Sequence, residues 1–216
     1  MALSNVPSDP LAVLPDSLRR LAQRGELKRF RKGHRIIEEG ERGDTIFIIL
    51  AGQVRVFSSG DRGREITYGS YGAGEYIGEI SLDGGLRSAS VEAIEPCECA
   101  VVTRVTLLRY IAEYPEFAFD LLAKVIRRVR SATLTAKQLA LNDVYGRLVL
   151  LLNDLAMPQA DGSRQIEARL THQEMANRLG CSREMVSRLM KDLEEGGYVS
   201  NVQQRFALVK PLPMRW

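Results

Sequence analysis

From Leu27 to Arg104 the chain repeats one texture: short β-rich runs separated by turns that carry glycine. The runs "TIFIIL", "QVRVF", "REITYG" and "CECAVV" alternate with Gly33, Gly40, Gly43, Gly52, Gly60, Gly63, Gly72 and Gly74. Strands this short at this spacing point to an antiparallel barrel or roll. Upstream, "PDSLRRLAQRG" reads as a short helix, with Pro15 near its start and Gly25 past its end. The first 14 residues, interrupted by Pro7 and Pro10, are expected to be loose.

After Arg104 the pattern becomes helical. "TLLRYIAEY" is a short helix stopped by Pro115. Ala118, Leu122, Val125, Val129, Ala132, Ala136 and Leu139 then recur at spacings of 4, 3, 4, 3, 4 and 3. Such a heptad seam suits pairing with another helix, and the same helix of a second subunit is the simplest partner. A lone amphipathic helix packed on its own domain is the alternative. A second apolar stripe, Phe117, Leu121 and Ile126, is expected to cover the roll. Asn142-Asp143 breaks the pattern, and Asp143 is expected to cap a helix from Val144 to Ala156, followed by a loop, "MPQADGSRQ". The domain boundary is placed at that hinge. Residues 1–142 form the roll domain, with the dimerisation helix at about 116–142, and residues 143–216 form the second domain.

In the second domain, "LTHQEMANRLGCSREMVSRLMKDLEEGGYV" combines four helix-turn-helix signals. Thr171 can cap a first helix that buries Met175, Ala176 and Leu179. Gly180 supplies the turn, and Ser182 can cap a second helix that buries Val186, Leu189, Met190 and Leu193. Arg183, Glu184, Ser187, Arg188 and Lys191 fall on the opposite face. Gly196-Gly197 end that helix, and "YVSNVQQRFALV" reads as a hairpin wing. Arginine offers a planar fork to guanine O6 and N7, and glutamate accepts from cytosine N4. Thr171, Gln173 and Ser182 suit phosphate oxygens. A helical pair with a solvated charged face is the plainer alternative.

Composition excludes more than it assigns. No apolar run approaches the roughly 20 residues that span a bilayer. "MALSNVPSDPLAVLPDS" has no basic stretch followed by an apolar one, so a cytoplasmic protein without a secretory signal is expected. Three cysteines form no disulfide framework, and Cys97 and Cys99 should point the same way from one strand as buried small residues. The two histidines, His34 and His172, are far apart, which starves a zinc site or a histidine-based catalytic centre. No glycine-rich NTPase loop is present. The net charge of +3 is too small to argue for nucleic acid, so a local patch must do that work. One stretch remains, "IGEISLDGGLRSASV" from Ile77 to Val91, which sets a carboxylate, a Gly-Gly pair and an Arg-Ser dipeptide close together, as a loop that holds an anion would. A plain Glu79–Arg87 salt bridge in a structural turn is the alternative there.

From about Leu27 to Val209 the chain resembles the cyclic-AMP receptor protein / FNR (CRP/FNR) family of bacterial transcription regulators. The resemblance rests on the glycine-punctuated roll, "GEISLDGGLRSAS", the long helix, "NDVYGRL" and "GCSREMVSRLMKDLE". It implies an α+β fold: an N-terminal antiparallel β-roll of the cyclic-nucleotide-binding type, a long dimerisation helix, and a C-terminal winged helix-turn-helix domain. It also implies that Gly78 and Glu79 meet a ribose, with Ile80 in the same ligand site, and that Arg87, Ser88 and Ala89 meet a cyclic phosphate. A guanidinium binds phosphate through two parallel hydrogen bonds, and a carboxylate would repel it, which puts Glu79 on the sugar hydroxyl. Seven residues separate Glu79 from Arg87, fewer than the cyclic-AMP receptor is expected to have, and its adenine-facing threonine and serine become Ala132 and Thr133, with Ser131 as a substitute. The implied effector is a cyclic nucleotide, cyclic AMP first, cyclic di-GMP second and an empty pocket third, with no metal. Arg183, Glu184 and Arg188 would read a TGTGA-like palindrome beside Lys191, Thr171, Gln173 and Ser182. His172 stands where the cyclic-AMP receptor has an arginine. The implied partners are double-stranded DNA, a second copy of the chain and RNA polymerase, with no membrane and no enzymatic activity. A phosphodiesterase and a nucleotide-sequestering dimer are the competing classes.

Overall fold

The computed structural model describes residues 10–60, 64–159, 163–167, 169–202 and 205–213. They divide into two compact units, 1–58 with 67–130, and 59–66 with 131–216. The division falls inside the long helix, ahead of the Asn142-Asp143 hinge where the sequence places it.

The first unit is built on two four-stranded antiparallel sheets. Strands β1 (Glu26–Phe30), β3 (Thr45–Ala51), β6 (Tyr76–Ile77) and β8 (Cys97–Thr103) form one, in the order β1-β8-β3-β6. Strands β2 (Arg35–Ile37), β4 (Gln53–Ser59), β5 (Glu65–Gly72) and β7 (Ser90–Ala93) form the other, in the order β2-β7-β4-β5. The run "TIFIIL" lacks the apolar-polar alternation of an exposed sheet because β3 is buried on both sides. Its Ile49 joins Ile37, Val54, Ile77, Val91, Cys97 and Cys99 in one cluster. Its Ile46, Ile48 and Leu50 face the other way, toward Leu18 and Leu21 of helix α1 (Asp16–Ala22) and Leu107 and Tyr110 of helix α2 (Arg104–Glu113). Cys97 and Cys99 share one side of β8, as their spacing predicts, and burial pushes the Cys99 thiol up to about 12. The expected looseness of the first 14 residues holds only in part. Residues 1–9 lie outside the described residues, but Pro10–Val13 form a 3-10 turn and Leu14 is buried in the core.

Helix α3 runs from Glu116 to Leu141. Phe117 is buried against α1 and α2, and Leu121 packs on the same cluster. Ile126, expected on that stripe, is 42% exposed. At 100° per residue, position 126 lies half a turn from Phe117, so the stripe continues instead through Lys124 and Arg128. The heptad seam is open to solvent within one chain: Leu122 is 53% exposed, Val129 59% and Leu139 41%.

The second unit packs helices α4 (Val144–Leu155), α5 (His172–Leu179) and α6 (Arg183–Glu195) around Leu148, Leu152, Met175, Val186, Met190 and Leu193. Asp143 caps α4 as expected, accepting from the Gly146 N–H at 2.7 Å. Its sheet has the order β11-β12-β10-β9, with β9 at Met157–Pro158, β10 at Arg164–Gln165, β11 at Val199–Val202 and β12 at Arg205–Leu208. The wing hairpin is the β11–β12 pair. "MPQADGSRQ", expected as a loop, is partly β, since Arg164 pairs with Pro158 and Gln165 with Met157; residues 160–162 lie outside the described residues. Arg164 explains the pairing. It donates to Asn153 O at 2.6 Å and Ala156 O at 3.1 Å, satisfying carbonyls that the end of α4 leaves without partners.

Phe117 anchors α3 to the roll through a fully buried ring. Phe117→Ala should lower the stability of the protein by about 3–5 kcal/mol in urea unfolding. A loss below about 1 kcal/mol would mean the helix is held elsewhere.

Candidate functional site

The loop "GEISLDGGLRSAS" folds around one guanidinium. Strand β6 ends at Gly78, whose φ of +86° turns the chain into a 3-10 helix, Glu79–Asp83. A Cβ on Gly78 would lie 2.7 Å from Arg87 Nη1 and 2.9 Å from Thr45 O, so the arginine needs glycine there. A Cβ on Gly43 would collide with the same guanidinium. The Arg87 backbone is fixed by its N–H to Glu41 O at 2.8 Å and by Gly40 N–H to its own carbonyl at 2.9 Å. The residue is buried, 8% exposed, and its side chain donates from Nη1 to Gly78 O at 2.7 Å and Ser81 Oγ at 2.8 Å, and from Nη2 to Thr45 Oγ1 at 3.0 Å. Every one of these acceptors is neutral. Burial lowers the pKa of the guanidinium, and the more distant carboxylates of Asp44, Glu79 and Glu41 oppose that shift. Among the described residues no carboxylate lies within ion-pair distance of Arg87, so an anion entering the cradle would be the first to neutralise it directly.

Beside it, Glu79 is equally buried, and its partner is Arg128 of α3. Arg128 Nη1 donates to Glu79 Oε1, and Nη2 donates to Tyr76 O at 2.6 Å. The Arg128 guanidinium also lies 4.6 Å from the centre of the Tyr71 ring, and Lys124 Nζ lies 4.1 Å from that of Tyr76, 3.7 Å from Glu75 Oε1. Three buried polar atoms in this group have no hydrogen-bond partner: Glu79 Oε2, Arg128 Nε and the Tyr76 hydroxyl. Burial, reinforced by the Glu79 charge, pushes the Tyr76 phenol up to about 12, so it stays a neutral donor. Buried polar groups are nearly always satisfied, so these three atoms call for a further partner, whether water or a bound group. An acceptor oxygen next to an anion receptor suits a ligand that carries both a hydroxyl and a negative charge.

The structure thus gathers Gly78, Glu79 and Arg87 as the sequence predicts, but not as a salt bridge, because Arg128 takes the carboxylate. Ile80 is 55% exposed at the rim, Ser88 is exposed and Ala89 half-buried, and the hydroxyl touching Arg87 is that of Ser81. Thr133 is exposed on the part of α3 that belongs to the second unit. Thr45, Ser81, Lys124 and Arg128 were not singled out from the sequence. The two cations did leave a signal, since 117, 121, 124 and 128 follow one another at spacings of 4, 3 and 4 on one helical face. Among the described residues no group of three or more His, Cys, Asp or Glu side chains could hold a metal ion.

In the second unit the helix-turn-helix is held by caps. Thr171 Oγ1 accepts from Glu174 N–H at 3.1 Å while Glu174 Oε2 accepts from Thr171 N–H at 2.7 Å, a reciprocal capping box. Gly180, at a φ of +65°, closes α5, and Ser182 Oγ accepts from Met185 N–H at 3.2 Å to open α6. Val186, Met190 and Leu193 are fully buried and Leu189 partly so, which leaves Arg183, Glu184, Arg188 and Lys191 exposed together. The Glu184 carboxyl is held below its usual range by its own backbone N–H and by Ser182, so it presents an ionised acceptor. Arg188 Nη2 rests 3.0 Å from Met185 Sδ, and Lys191 sits 3.5 Å from Glu195 in an exposed pair of little energetic worth. Gln173 Nε2 donates to Asn177 Oδ1 at 2.8 Å. Ser187, expected on the open face, is instead half-buried because its Oγ lies 2.9 Å from His172 Nδ1.

Comparison with known proteins matches a family model to each part of the chain. Residues 27–114 match the cyclic nucleotide-binding domain family, and residues 146–211 match the Crp-like helix-turn-helix domain family. The chain is 35% identical to the cAMP-activated global transcriptional regulator Vfr of Pseudomonas aeruginosa, over 80% of this chain and 84% of that protein. It is 31% identical to the CRP-like cAMP-activated global transcriptional regulator of Mycobacterium tuberculosis, over 87% and 85% of the two chains. Among solved structures, the c-di-GMP-responsive global regulator CLP of Xanthomonas campestris superposes with a TM-score of 0.79 at 24% identity, covering 90% of this chain and 98% of that one.

Arg128 is the direct counter-charge of a buried carboxylate. Arg128→Leu should therefore destabilise the protein by about 3–5 kcal/mol in urea unfolding, and adding Glu79→Gln should recover most of that loss. Equal stability of Arg128→Leu and the unmodified protein would remove the pair from any structural role.

Proposed function

Since the chain belongs to the CRP/FNR family of bacterial transcription regulators, we propose that it works as a homodimeric DNA-binding regulator controlled by a cyclic nucleotide, cyclic AMP ahead of cyclic di-GMP. The observation that carries the ligand is Arg87, a buried guanidinium with only neutral acceptors, next to a Glu79 oxygen that accepts from nothing. A cyclic nucleotide offers both missing groups, a singly charged phosphate for Arg87 and a ribose 2′-hydroxyl for Glu79 Oε2. Cyclic AMP carries one phosphate and cyclic di-GMP two. A second phosphate would call on a second cation, and Arg128 is already committed to Glu79. The relatives described as cAMP-activated favour the same choice, while the c-di-GMP-responsive structural neighbour keeps the second ligand in play.

Dimerisation through α3 follows from the seam. Leu122 and Leu139 would stay in water in a monomer, and a two-fold partner would bury them. Arg183, Glu184 and Arg188 read bases of a TGTGA-like palindrome in successive major grooves, with Thr171, Gln173, Ser182 and Lys191 along the backbone. The ligand acts on α3 through Glu79, because occupying Oε2 alters the acceptor that Arg128 holds, and a ligand shifts an equilibrium by its differential affinity for the two states. RNA polymerase is the further partner, the cytoplasm the location, and no enzymatic step is assigned.

Calorimetry with cyclic AMP, cyclic GMP and cyclic di-GMP, followed by DNA binding with and without each, tests the effector. Cyclic AMP should bind and raise affinity for a TGTGA palindrome, and Arg87→Leu should abolish both effects while leaving basal DNA binding. No heat from any of the three, with full DNA affinity in their absence, would make the cradle structural. Leu122→Glu with Val125→Glu should give monomers in sedimentation, and a persistent dimer would move the interface off α3. Arg188→Ala should weaken the cognate site by about 1–3 kcal/mol and scrambled DNA much less; equal losses would take it out of base readout.

A further inference from the structure

Helix α3 meets the loop through a second cation that the ligand contacts assigned above leave out. Lys124 and Arg128 stand one turn apart on the same face of α3. Each is answered by one ring and one carboxylate. Arg128 has Tyr71 and Glu79. Lys124 has the Tyr76 ring, its centre 4.1 Å from Nζ, and Glu75 Oε1, 3.7 Å away. A cation over an aromatic face gains most where water is excluded, and the Lys124 side chain is only 16% exposed. Tyr76 links the two clamps, since its carbonyl accepts from Arg128 Nη2 at 2.6 Å while its ring lies against Lys124.

The roll side of the Lys124 clamp is fixed. Glu75 Oε2 accepts from the Gly72 N–H at 3.2 Å, and the Glu75 carbonyl accepts from the Ile49 N–H of β3 at 2.8 Å. Tyr76 is held in register opposite Ile48 of the same strand. The roll side of the Arg128 clamp is different, because Glu79 lies beyond Gly78, in the turn that also receives Arg87 Nη1 on the Gly78 carbonyl at 2.7 Å. The carboxylate that Arg128 holds is thus the group assigned to the ribose hydroxyl, in the part of the loop that an anion on Arg87 would disturb. Lys124 holds residues that are assigned no contact with ligand.

We propose that Lys124 is a positioning residue of the effector response, the pivot that turns a change at Arg128 into a reorientation of α3. The proposal rests on the reading of Arg87 and Glu79 as a cyclic-nucleotide site. Phe117 and Leu121 hold the first turns of α3, and Lys124 continues that row to within one turn of Arg128. A ligand hydroxyl on Glu79 weakens the grip on Arg128 at one point, and the helix then responds about the nearest point that stays fixed. With Lys124 in place that point is one turn away and tied to β3 through Glu75 and Tyr76. Without it the slack is taken up by the Arg128 side chain and the turns between it and Leu121. A ligand shifts DNA affinity only by its differential affinity for two arrangements, and such a pivot sets how far apart they are.

The experiment uses the full-length protein and whichever of cyclic AMP, cyclic GMP and cyclic di-GMP binds it most tightly. Calorimetry gives the nucleotide affinity without DNA, and titration of a TGTGA palindrome with and without saturating nucleotide gives the ratio of DNA affinities. Lys124→Met keeps the apolar stem and loses the charge. Its nucleotide affinity should stay within about twofold, as for a residue away from the ligand, while the ratio should narrow by about tenfold, an ordinary size for a coupling between sites. Lys124→Arg and Tyr76→Phe, which keep the cation and the ring, should keep the ratio. Tyr76→Leu should narrow it, and joining Tyr76→Leu to Lys124→Met should narrow it no further, because both break one clamp. Lys124→Met decides alone where Tyr76→Leu does not fold. An unchanged ratio in Lys124→Met, a ratio that falls only together with nucleotide affinity, or nucleotide binding that leaves DNA affinity unchanged in the unmodified protein would overturn the inference and leave the ligand site standing. Binding of none of the three nucleotides would overturn both.

Discussion

The buried pair between Glu79 and Arg128 is the interaction that joins the loop of the first unit to its long helix. Removing a carboxylate and a guanidinium from water carries a large desolvation penalty, returned only when geometry and further hydrogen bonds are good. Here Arg128 has a second acceptor in Tyr76 O and a ring face in Tyr71, but one oxygen of Glu79, the Arg128 Nε and the Tyr76 hydroxyl remain without partners. A cradle of this kind is stable enough to keep its shape and incompletely satisfied enough to favour a ligand. The same pair ties the 3-10 turn of the loop to α3.

Arg87 shows how strongly backbone choices govern such a site. Its guanidinium occupies space that only Gly43 and Gly78 leave open, and its own backbone is fixed between Gly40 and Glu41. The surrounding strands are rigid because β3 and β8 are buried on both faces, with Ile49 and Cys99 on one side and Ile48, Ala100 and Val102 on the other. Interiors packed this way tolerate little displacement. The arginine is therefore held in one place by the backbone around it.

The second unit works by the opposite arrangement. Its core is wholly apolar, and its charges are kept outside by the 3.6-residue period of α6, which buries Val186, Met190 and Leu193 and exposes Arg183, Glu184 and Arg188. Rigidity comes from the termini: the Thr171–Glu174 box, Gly180 and Ser182 fix where α5 ends and α6 begins. Exposed arginines on a well-capped helix keep their reach while their register is set.

Much of this was legible in the residues themselves. The roll, the long helix, the helix-turn-helix and its caps are local matters: period, glycine position and capping chemistry act within a few residues of one another, so spacing reports them. Gly78, Glu79 and Arg87 were legible for the same reason, since one loop carries all three. Spacing along the chain thus specifies the elements and brings candidate site residues together, whereas packing in three dimensions pairs the charges. Glu79 takes Arg128, 49 positions away, rather than the nearby Arg87; Ser81, not foreseen, meets the guanidinium; Ser187 turns inward to His172; and Ile126 faces away from the roll. A charged or polar side chain chooses its partner by distance and burial in three dimensions, and neither quantity is a function of separation along the chain.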